Sequence, residues 1–256
     1  MNYRQLLPRK AIDLALCGDV GRPFMDVSGS VCHYKSFLAY AASTWRHVFL
    51  ITGNHCYYGH RKSETDERIR SYCDNYQNLH FLSDSVYVFT AADDVPFHGI
   101  WGSTLWTNVT DMAFAQMNDH RIRPTLSESQ QKYTRTSSRL TAHTIRGWHE
   151  SHKAALSKAL QEPRPGGKKW VIMTHHAPRP PPDENLHTHA DASSWSAYIN
   201  ELPPDLFDKE KIAVWLCGHL HAHFDAMVNG IRYVSNCMGY PGEKHVGYKD
   251  SFVIEY

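Results

Sequence analysis

An α/β fold, with two β-sheets flanked by α-helices, is the class the sequence predicts, and three observations predict it. Four short apolar runs each lead into a small residue and then a metal-seeking side chain. They are Leu14-Ala15-Leu16-Cys17 before Gly18-Asp19, Val48-Phe49-Leu50-Ile51 before Gly53-Asn54-His55, Trp170-Val171-Ile172-Met173 before Thr174-His175-His176, and Val214-Trp215-Leu216-Cys217 before Gly218-His219-Leu220-His221. Runs of this length, rich in β-branched and aromatic residues, read as buried strands. The first half alternates strand with helix. The last third alternates in a β fashion around Asn229-Gly230, a hairpin-turn dipeptide.

The elements follow in order. A strand over 11–17 precedes a helix over 30–43 and a strand over 46–52. A polar helix over 62–76 exposes Glu64, Asp66, Glu67, Arg68 and Arg70. Shorter strands cover 84–90 and 97–101, and a short helix spans Met112 to Met117. A longer helix over 138–161 carries Ile145, Trp148, Ala155, Leu156 and Ala159 on one stripe, and Pro163, Pro165, Gly166 and Gly167 end it. After the 170–174 strand comes a Pro- and His-rich loop over 177–193, of a length typical of lids and binding segments. A short helix over 195–201, a strand over 212–217 and strands at Phe224–Val228, Ile231–Val234 and Phe252–Ile254 complete the chain.

No linker, charge block or internal repeat divides the 256 residues, so the reading is one domain over 1–256. The formal net charge of +1 offers no electrostatic attraction for nucleic acid or an anionic membrane. Hydrophobic residues make up 42%, enough for a substantial core. The six cysteines, Cys17, Cys32, Cys56, Cys73, Cys217 and Cys237, contain no Cys-x-x-Cys pair, which fits a reducing, cytoplasmic setting. Arg9 and Lys10 precede only a short apolar run broken by Asp13, a poor signal peptide, and no stretch approaches the roughly 20 apolar residues of a spanning helix. Histidine is the outlier, at 18 residues.

The strand-end pattern selects among those histidines. In open α/β sheets ligands gather outside the carboxyl ends of the strands. Asp19 offers a carboxylate that can bridge two cations, Asn54 an amide oxygen, and His175, His219 and His221 imidazole nitrogen. Mixed oxygen and nitrogen donors suit Mn, Fe or Zn rather than calcium. Two cations sharing such ligands clamp a phosphoryl group and hold a hydroxide nucleophile at neutral pH. His55, beside Asn54, is placed to protonate a leaving oxygen or stabilise its charge.

Gly18-Asp19, Gly53-Asn54-His55, His175 and Gly218-His219-Leu220-His221 together resemble the linear motif of the calcineurin-like metallophosphoesterase superfamily. Trp101-Gly102-Ser103-Thr104-Leu105-Trp106, Met117-Asn118-Asp119 and Gly239-Tyr240-Pro241-Gly242-Glu243 are similar to a compact, single-domain subgroup of it. The resemblance implies a four-layer sandwich of two mixed β-sheets flanked by helices. It implies Asp19 as bridging carboxylate, Asn54, His175 and His219 as the remaining ligands of one cation, His221 as a ligand of the other, and His55 as the catalytic histidine. It implies hydrolysis of a phosphate mono- or diester, with a phosphorylated small molecule or nucleotide-like substrate. Two departures stand out. The superfamily's first motif, Asp-x-His, is absent before Gly18, which predicts a missing first strand, a first cation site left with Asp19 and His221, one or two cations per chain, and reduced activity. Cys56 stands where Asp or Glu usually follows Gly-Asn-His. The rival expectation is a catalytically inactive relative that serves as a metal-binding or protein-interaction scaffold.

Other candidates are weaker. His176 is expected to line the site, and Arg121 and Arg123 to meet a substrate phosphate through bidentate guanidinium contacts. Trp101 and Trp106 read as rim or core, and Asn236 as a polar residue near the site. His187 and His189 read as solvated loop, and His149 and His152 as an exposed helical face.

Overall fold

Along each buried strand, successive side chains enter different layers, because β-strand side chains alternate faces. The computed structural model describes residues 3–24, 33–123, 140–183, 193–240, 242–243 and 247–255. Strands β1 (Leu14–Leu16), β2 (Val48–Leu50) and β3 (Leu79–Phe81) form a parallel three-stranded sheet in that order. Strands β4 (Ser85–Val88), β5 (Phe97–Ser103), β6 (Lys169–Thr174), β7 (Ile212–Cys217), β8 (His223–Val228) and β9 (Ile231–Asn236) form a six-stranded mixed sheet, ordered β4-β5-β6-β7-β9-β8. Its central strands β5, β6, β7 and β9 run parallel, and the two edge strands are antiparallel to their neighbours.

Three helices are long enough to matter: α2 (His33–Thr44), α3 (Lys62–Cys73) and α5 (Ala142–Gln161); α1 (Tyr3–Leu6) and α4 (Asp111–Gln116) are short. Val48 and Leu50 pack with Leu38, Ala41 and Ile69 of α2 and α3. Phe49 and Ile51, on the opposite face, pack against Val171, Met173, Val214 and Leu216 of the second sheet. Trp170, Ile172 and Trp215 face the other way, onto Leu156, Ala159 and Leu160 of α5. The result is the four-layer order of helices, sheet, sheet and helix. Trp215 satisfies its indole by donating Nε1–H to Thr174 Oγ1 at 3.0 Å, as a buried Trp usually does.

The helix ends follow from local sequence. Thr141 caps α5, its hydroxyl accepting from Thr144 N at 3.3 Å, and Thr110 caps α4 through Ala113 N at 3.1 Å. Asn229 and Gly230 both adopt positive φ, 50° and 80°, and turn β8 into β9. That is the hairpin geometry their dipeptide predicts.

Several expectations are corrected. β3 was not expected; it is three residues long, too short for periodicity to register. Residues 252–255 form no strand; Phe252 and Ile254 instead pack on the layer between the sheets. The helix expected over 195–201 is one 3-10 turn, Trp195–Ala197. His149 and His152 are buried, not exposed. They continue the stripe Ile145, His149, His152, Leu156, Ala159 at helical spacing, and counting histidine as polar hides this. Both Trp101 and Trp106 are core. β1 has one neighbour among the described residues, β2, and Ala15 is exposed. His187 and His189 lie outside the described residues. No helix among the described residues is long and apolar enough to cross a membrane.

His149 and His152 brace the segment after β5. His149 Nδ1–H donates to the Trp106 carbonyl at 2.7 Å, and Trp106 N–H donates to His152 Nδ1 at 3.3 Å. Only a neutral ring can accept there, so the 3.3 Å approach of His152 Nε2 to Asp84 Oδ2 is a hydrogen bond of a neutral imidazole. Burial, then Lys62 and His149, push the His152 pKa down to about 3. The unfolded chain therefore binds more protons than the folded one between about pH 3 and 6.5, and this contribution to stability is complete above 6.5 and shrinks as pH falls. Between pH 7 and pH 5 His152 alone should remove about 2 kcal/mol of stability. Denaturant unfolding of the chain and of His152→Asn at both pH values checks this; the variant should show the smaller pH dependence.

Candidate metal centre

All four predicted strand ends reach one rim. Asp19 follows β1, Asn54 and His55 follow β2 in a 3-10 turn (Asn54–Tyr57), His175 follows β6, and His219 follows β7. One donor atom from each of Asp19, His175 and His219 lies within 4.8 Å of the others. His175 Nε2 is the hub, 3.2 Å from Asp19 Oδ2, 3.1 Å from Asn54 Oδ1 and 3.1 Å from His219 Nδ1.

The chain fixes which atoms face inward. His175 Nδ1–H donates to the Cys17 carbonyl at 2.9 Å, which leaves Nε2 with its lone pair. The Asn54 amide nitrogen donates to Asp119 Oδ1 at 2.8 Å and Tyr58 Oη at 3.1 Å, so its oxygen turns to the hub. Tyr58 also donates to Asp119 Oδ1, at 2.9 Å. Asp19 Oδ1 accepts the His55 backbone N–H at 3.0 Å, freeing Oδ2. His219 is held between the rings of His176 and Tyr198, with centroids at 4.4 and 5.1 Å. Its Nε2 is buried and has no hydrogen-bond partner among the described residues.

Backbone conformation permits this density. Asp19, His219 and His221 all adopt positive φ, at 53°, 64° and 47°, a strained choice for side-chain-bearing residues that clusters at functional sites. Gly18, at φ 88°, and Gly53 have no room for a Cβ. One on Gly18 would sit 2.5 Å from His175 Nδ1, and one on Gly53 would strike the Asp19 carboxylate.

Four acceptor atoms with too few protons among them call for a cation. Donors around a cation bonded at about 2.1 Å stand roughly 3.0–3.4 Å apart, and the three distances from His175 Nε2, 3.1–3.2 Å, fall in that range. The electrostatics agree. Burial works against the Asp19 charge, but His175, His55 and His176 hold its pKa below the usual range. Burial disfavours the His175 cation, yet Asp19 holds its pKa up, so a proton can occupy the hub. Burial, with His176, His175 and His221 beside it, keeps His219 neutral and its pKa well below the ordinary value.

A cleft of about 230 Å³ reaches the donor cluster at Asp19 and His219, and is lined also by His55, Tyr58, Tyr198 and Tyr240 among others. His55 stacks on Tyr58 at 4.4 Å, and its Nε2 is 3.2 Å from the Tyr240 hydroxyl. Burial lowers its pKa against the opposing pull of Asp19. His221 also lines the cleft, but its Nδ1 meets Glu243 Oε2 at 2.8 Å, not the hub.

The remaining expectations fare differently. His176 is buried rather than open to the cleft. Its Nδ1–H donates to the Thr104 carbonyl at 3.0 Å and its ring packs on Trp106 at 5.1 Å. Neither Arg121 nor Arg123 lines the cleft among the described residues. Arg121 stands 6.0 Å from the Tyr58 ring centroid, and Arg123 runs beside Arg61, its N–H donating to the His60 carbonyl at 2.9 Å. Asn236 pairs with His223 at 3.0 Å, away from the hub. Cys56 is a buried thiol, 3.9 Å from Asp19 Oδ1, with its pKa pushed far up by burial and Asp19. Asp119, Tyr58, Tyr240 and Glu243 were assigned no role from sequence. Three of them lie in the Met117–Asp119 and Gly239–Glu243 stretches, where the signal was present without a function attached.

A model of the calcineurin-like phosphoesterase family matches residues 2–223. An uncharacterized protein, L509, of Acanthamoeba polyphaga mimivirus is 26% identical over 257 aligned positions, covering 93% of this chain and 82% of that one. The crystal structure of phosphopantetheinyl hydrolase (PptH) from Mycobacterium tuberculosis aligns with a TM-score of 0.59 at 14% identity, over 90% of this chain and 79% of that one. At that identity the likeness is one of fold.

Asp119 aims Asn54 without touching the hub. Replacing it with alanine should weaken Mn²⁺ binding about 10–100-fold, the usual effect of losing a partner of a ligand. Isothermal titration of both proteins, with circular dichroism to check folding, measures it.

Proposed function

The chain belongs to the calcineurin-like phosphoesterase family, and from that premise we propose that it hydrolyses a phosphate mono- or diester of a small molecule with one or two divalent cations, Mn, Fe or Zn. The convergence of Asp19 Oδ2, Asn54 Oδ1, His175 Nε2 and His219 Nδ1 beside an open cleft carries this reading. Cations held there supply Lewis-acid stabilisation of phosphoryl charge and lower the pKa of water.

The protein's own groups do the rest. Asp19 and Asn54 present oxygen, and His175 and His219 present nitrogen, in fixed orientation. His221 adds an imidazole on the outer side. His55 stands at the cleft as a mainly neutral imidazole near pH 7, able to donate a hydrogen bond to the leaving oxygen as charge develops on it. Tyr58 supports that ring from behind. The aromatic walls and the absence of Lys or Arg among the described lining residues favour a small phosphorylated compound, nucleotide-like included, over a nucleic-acid strand. The cleft is smaller than sites for drug-sized ligands, which favours a compact substrate. His176, buried on Trp106, packs against His219 and supports the cleft wall, while Arg121 and Arg123 lie off the cleft lining. The five cysteines among the described residues, Cys17, Cys56, Cys73, Cys217 and Cys237, are free thiols, which supports action in a reducing cytoplasm.

The outer donor set of Asp19 and His221 favours a second reading, a catalytically silent cation-binding scaffold. Hydrolysis of p-nitrophenyl phosphate and bis(p-nitrophenyl) phosphate with added Mn²⁺ separates the two. Turnover should require the cation, disappear in Asp19→Ala, and fall about 10²–10⁴-fold in His55→Ala. Equal background rates in all three proteins would establish the scaffold instead.

A further inference from the structure

One short turn touches both cleft-lining histidines that the inner donor set does not use, His55 and His221. Glu243 N–H donates to the Tyr240 carbonyl at 3.0 Å, and Gly242 closes the turn at φ 83°. From this turn the Tyr240 hydroxyl reaches His55 Nε2 at 3.2 Å, and Glu243 Oε2 reaches His221 Nδ1 at 2.8 Å. The same Oε2 accepts the Tyr240 backbone N–H at 2.8 Å, which fixes the carboxylate. The Tyr240 ring stands edge-on to the His221 ring, with centroids 4.5 Å apart and planes at 83°. The His221 and Glu243 side chains are 25% and 24% exposed, so the bond between those two is substantially shielded.

An ionised carboxylate only accepts hydrogen bonds. Its contact with Nδ1 therefore places the His221 proton on Nδ1 and leaves Nε2 as the bare nitrogen. His175 is fixed in the same sense by the Cys17 carbonyl, and His176 by the Thr104 carbonyl. His221 differs because its acceptor carries a charge. A carboxylate behind an imidazole fixes its tautomer and locks its orientation, the arrangement that supports many metal-ligating histidines. This matters most where donors are few, as on the side of Asp19 away from the hub.

We propose that Glu243 is a positioning residue that holds His221 as its Nδ1–H tautomer and so presents Nε2 as the imidazole donor of a second divalent cation beside Asp19. This rests on the cation-binding reading of the site, and two readouts keep the two apart. The first is the His221 tautomer, read by long-range ¹H–¹⁵N NMR on the full, cation-free chain at pH 7.5. The chain should show Nδ1–H, and Glu243→Ala should shift the ring toward Nε2–H. The second is a Mn²⁺ titration by calorimetry. Glu243→Ala should leave the tighter step unchanged and weaken the looser step about 10–100-fold, while Glu243→Gln, which keeps a neutral acceptor, should recover most of that loss.

An unchanged tautomer or an unchanged looser step in Glu243→Ala overturns the proposal and leaves the inner site standing. Equal losses in the Ala and Gln variants, together with a lowered melting temperature, overturn it in favour of a merely structural turn. A chain that binds no divalent cation at all overturns both the positioning role and the proposed function.

Discussion

The hydrogen bond from His175 Nδ1 to the Cys17 carbonyl holds the centre together. It spans 158 residues of sequence and ties the end of β6 in the larger sheet to the end of β1 in the smaller one. It also determines the chemistry of the ring, since a proton committed to the carbonyl leaves Nε2 as a lone pair facing Asp19, Asn54 and His219. Gly18 and Gly53 are the complement of this bond. A Cβ on either would push into the ring or the carboxylate. The positive φ of Asp19 and His219 costs each residue about 1–2 kcal/mol. That strain persists because both side chains are held at the His175 hub, Asp19 Oδ2 at 3.2 Å and His219 Nδ1 at 3.1 Å.

Charge at the rim is arranged as a deficit of protons. The amide of Asn54 spends both its donors on Asp119 and Tyr58, the backbone of His55 occupies one oxygen of Asp19, and His219 is kept neutral by burial. What remains is a set of lone pairs around one point. In the metal-free protein a proton on His175 relieves this, as its raised pKa indicates. A divalent cation relieves it more completely, so cation binding and proton release are coupled.

Support for the centre extends well behind it. Thr104 receives the His176 ring, and Trp106 lies against that ring while its backbone is held from behind by His149 and His152. These histidines on α5 do not reach the donor cluster, but they brace the segment that packs against it. Their burial as neutral rings makes the same segment sensitive to acid.

Sequence alone determined the four strand ends, the hairpin at Asn229-Gly230 and the identity of the inner donors. Each of these is local: a buried apolar run, a turn dipeptide, or a motif whose residues are contiguous. The layer order came with the family resemblance, because runs as uniformly apolar as Val48–Ile51 and Trp170–Met173 mark buried strands without saying what covers each face. Tertiary structure decided what depends on partners distant in the chain. It alone showed that Asp119 aims Asn54 across 65 residues, that His149 and His152 face inward, and that Arg121 and Arg123 stay off the cleft floor. It alone turned His221 toward Glu243, since no spacing rule relates a histidine at a strand end to a carboxylate in a later turn. Periodicity reports which face a residue occupies, but only the folded chain reports which nitrogen of an imidazole carries the proton.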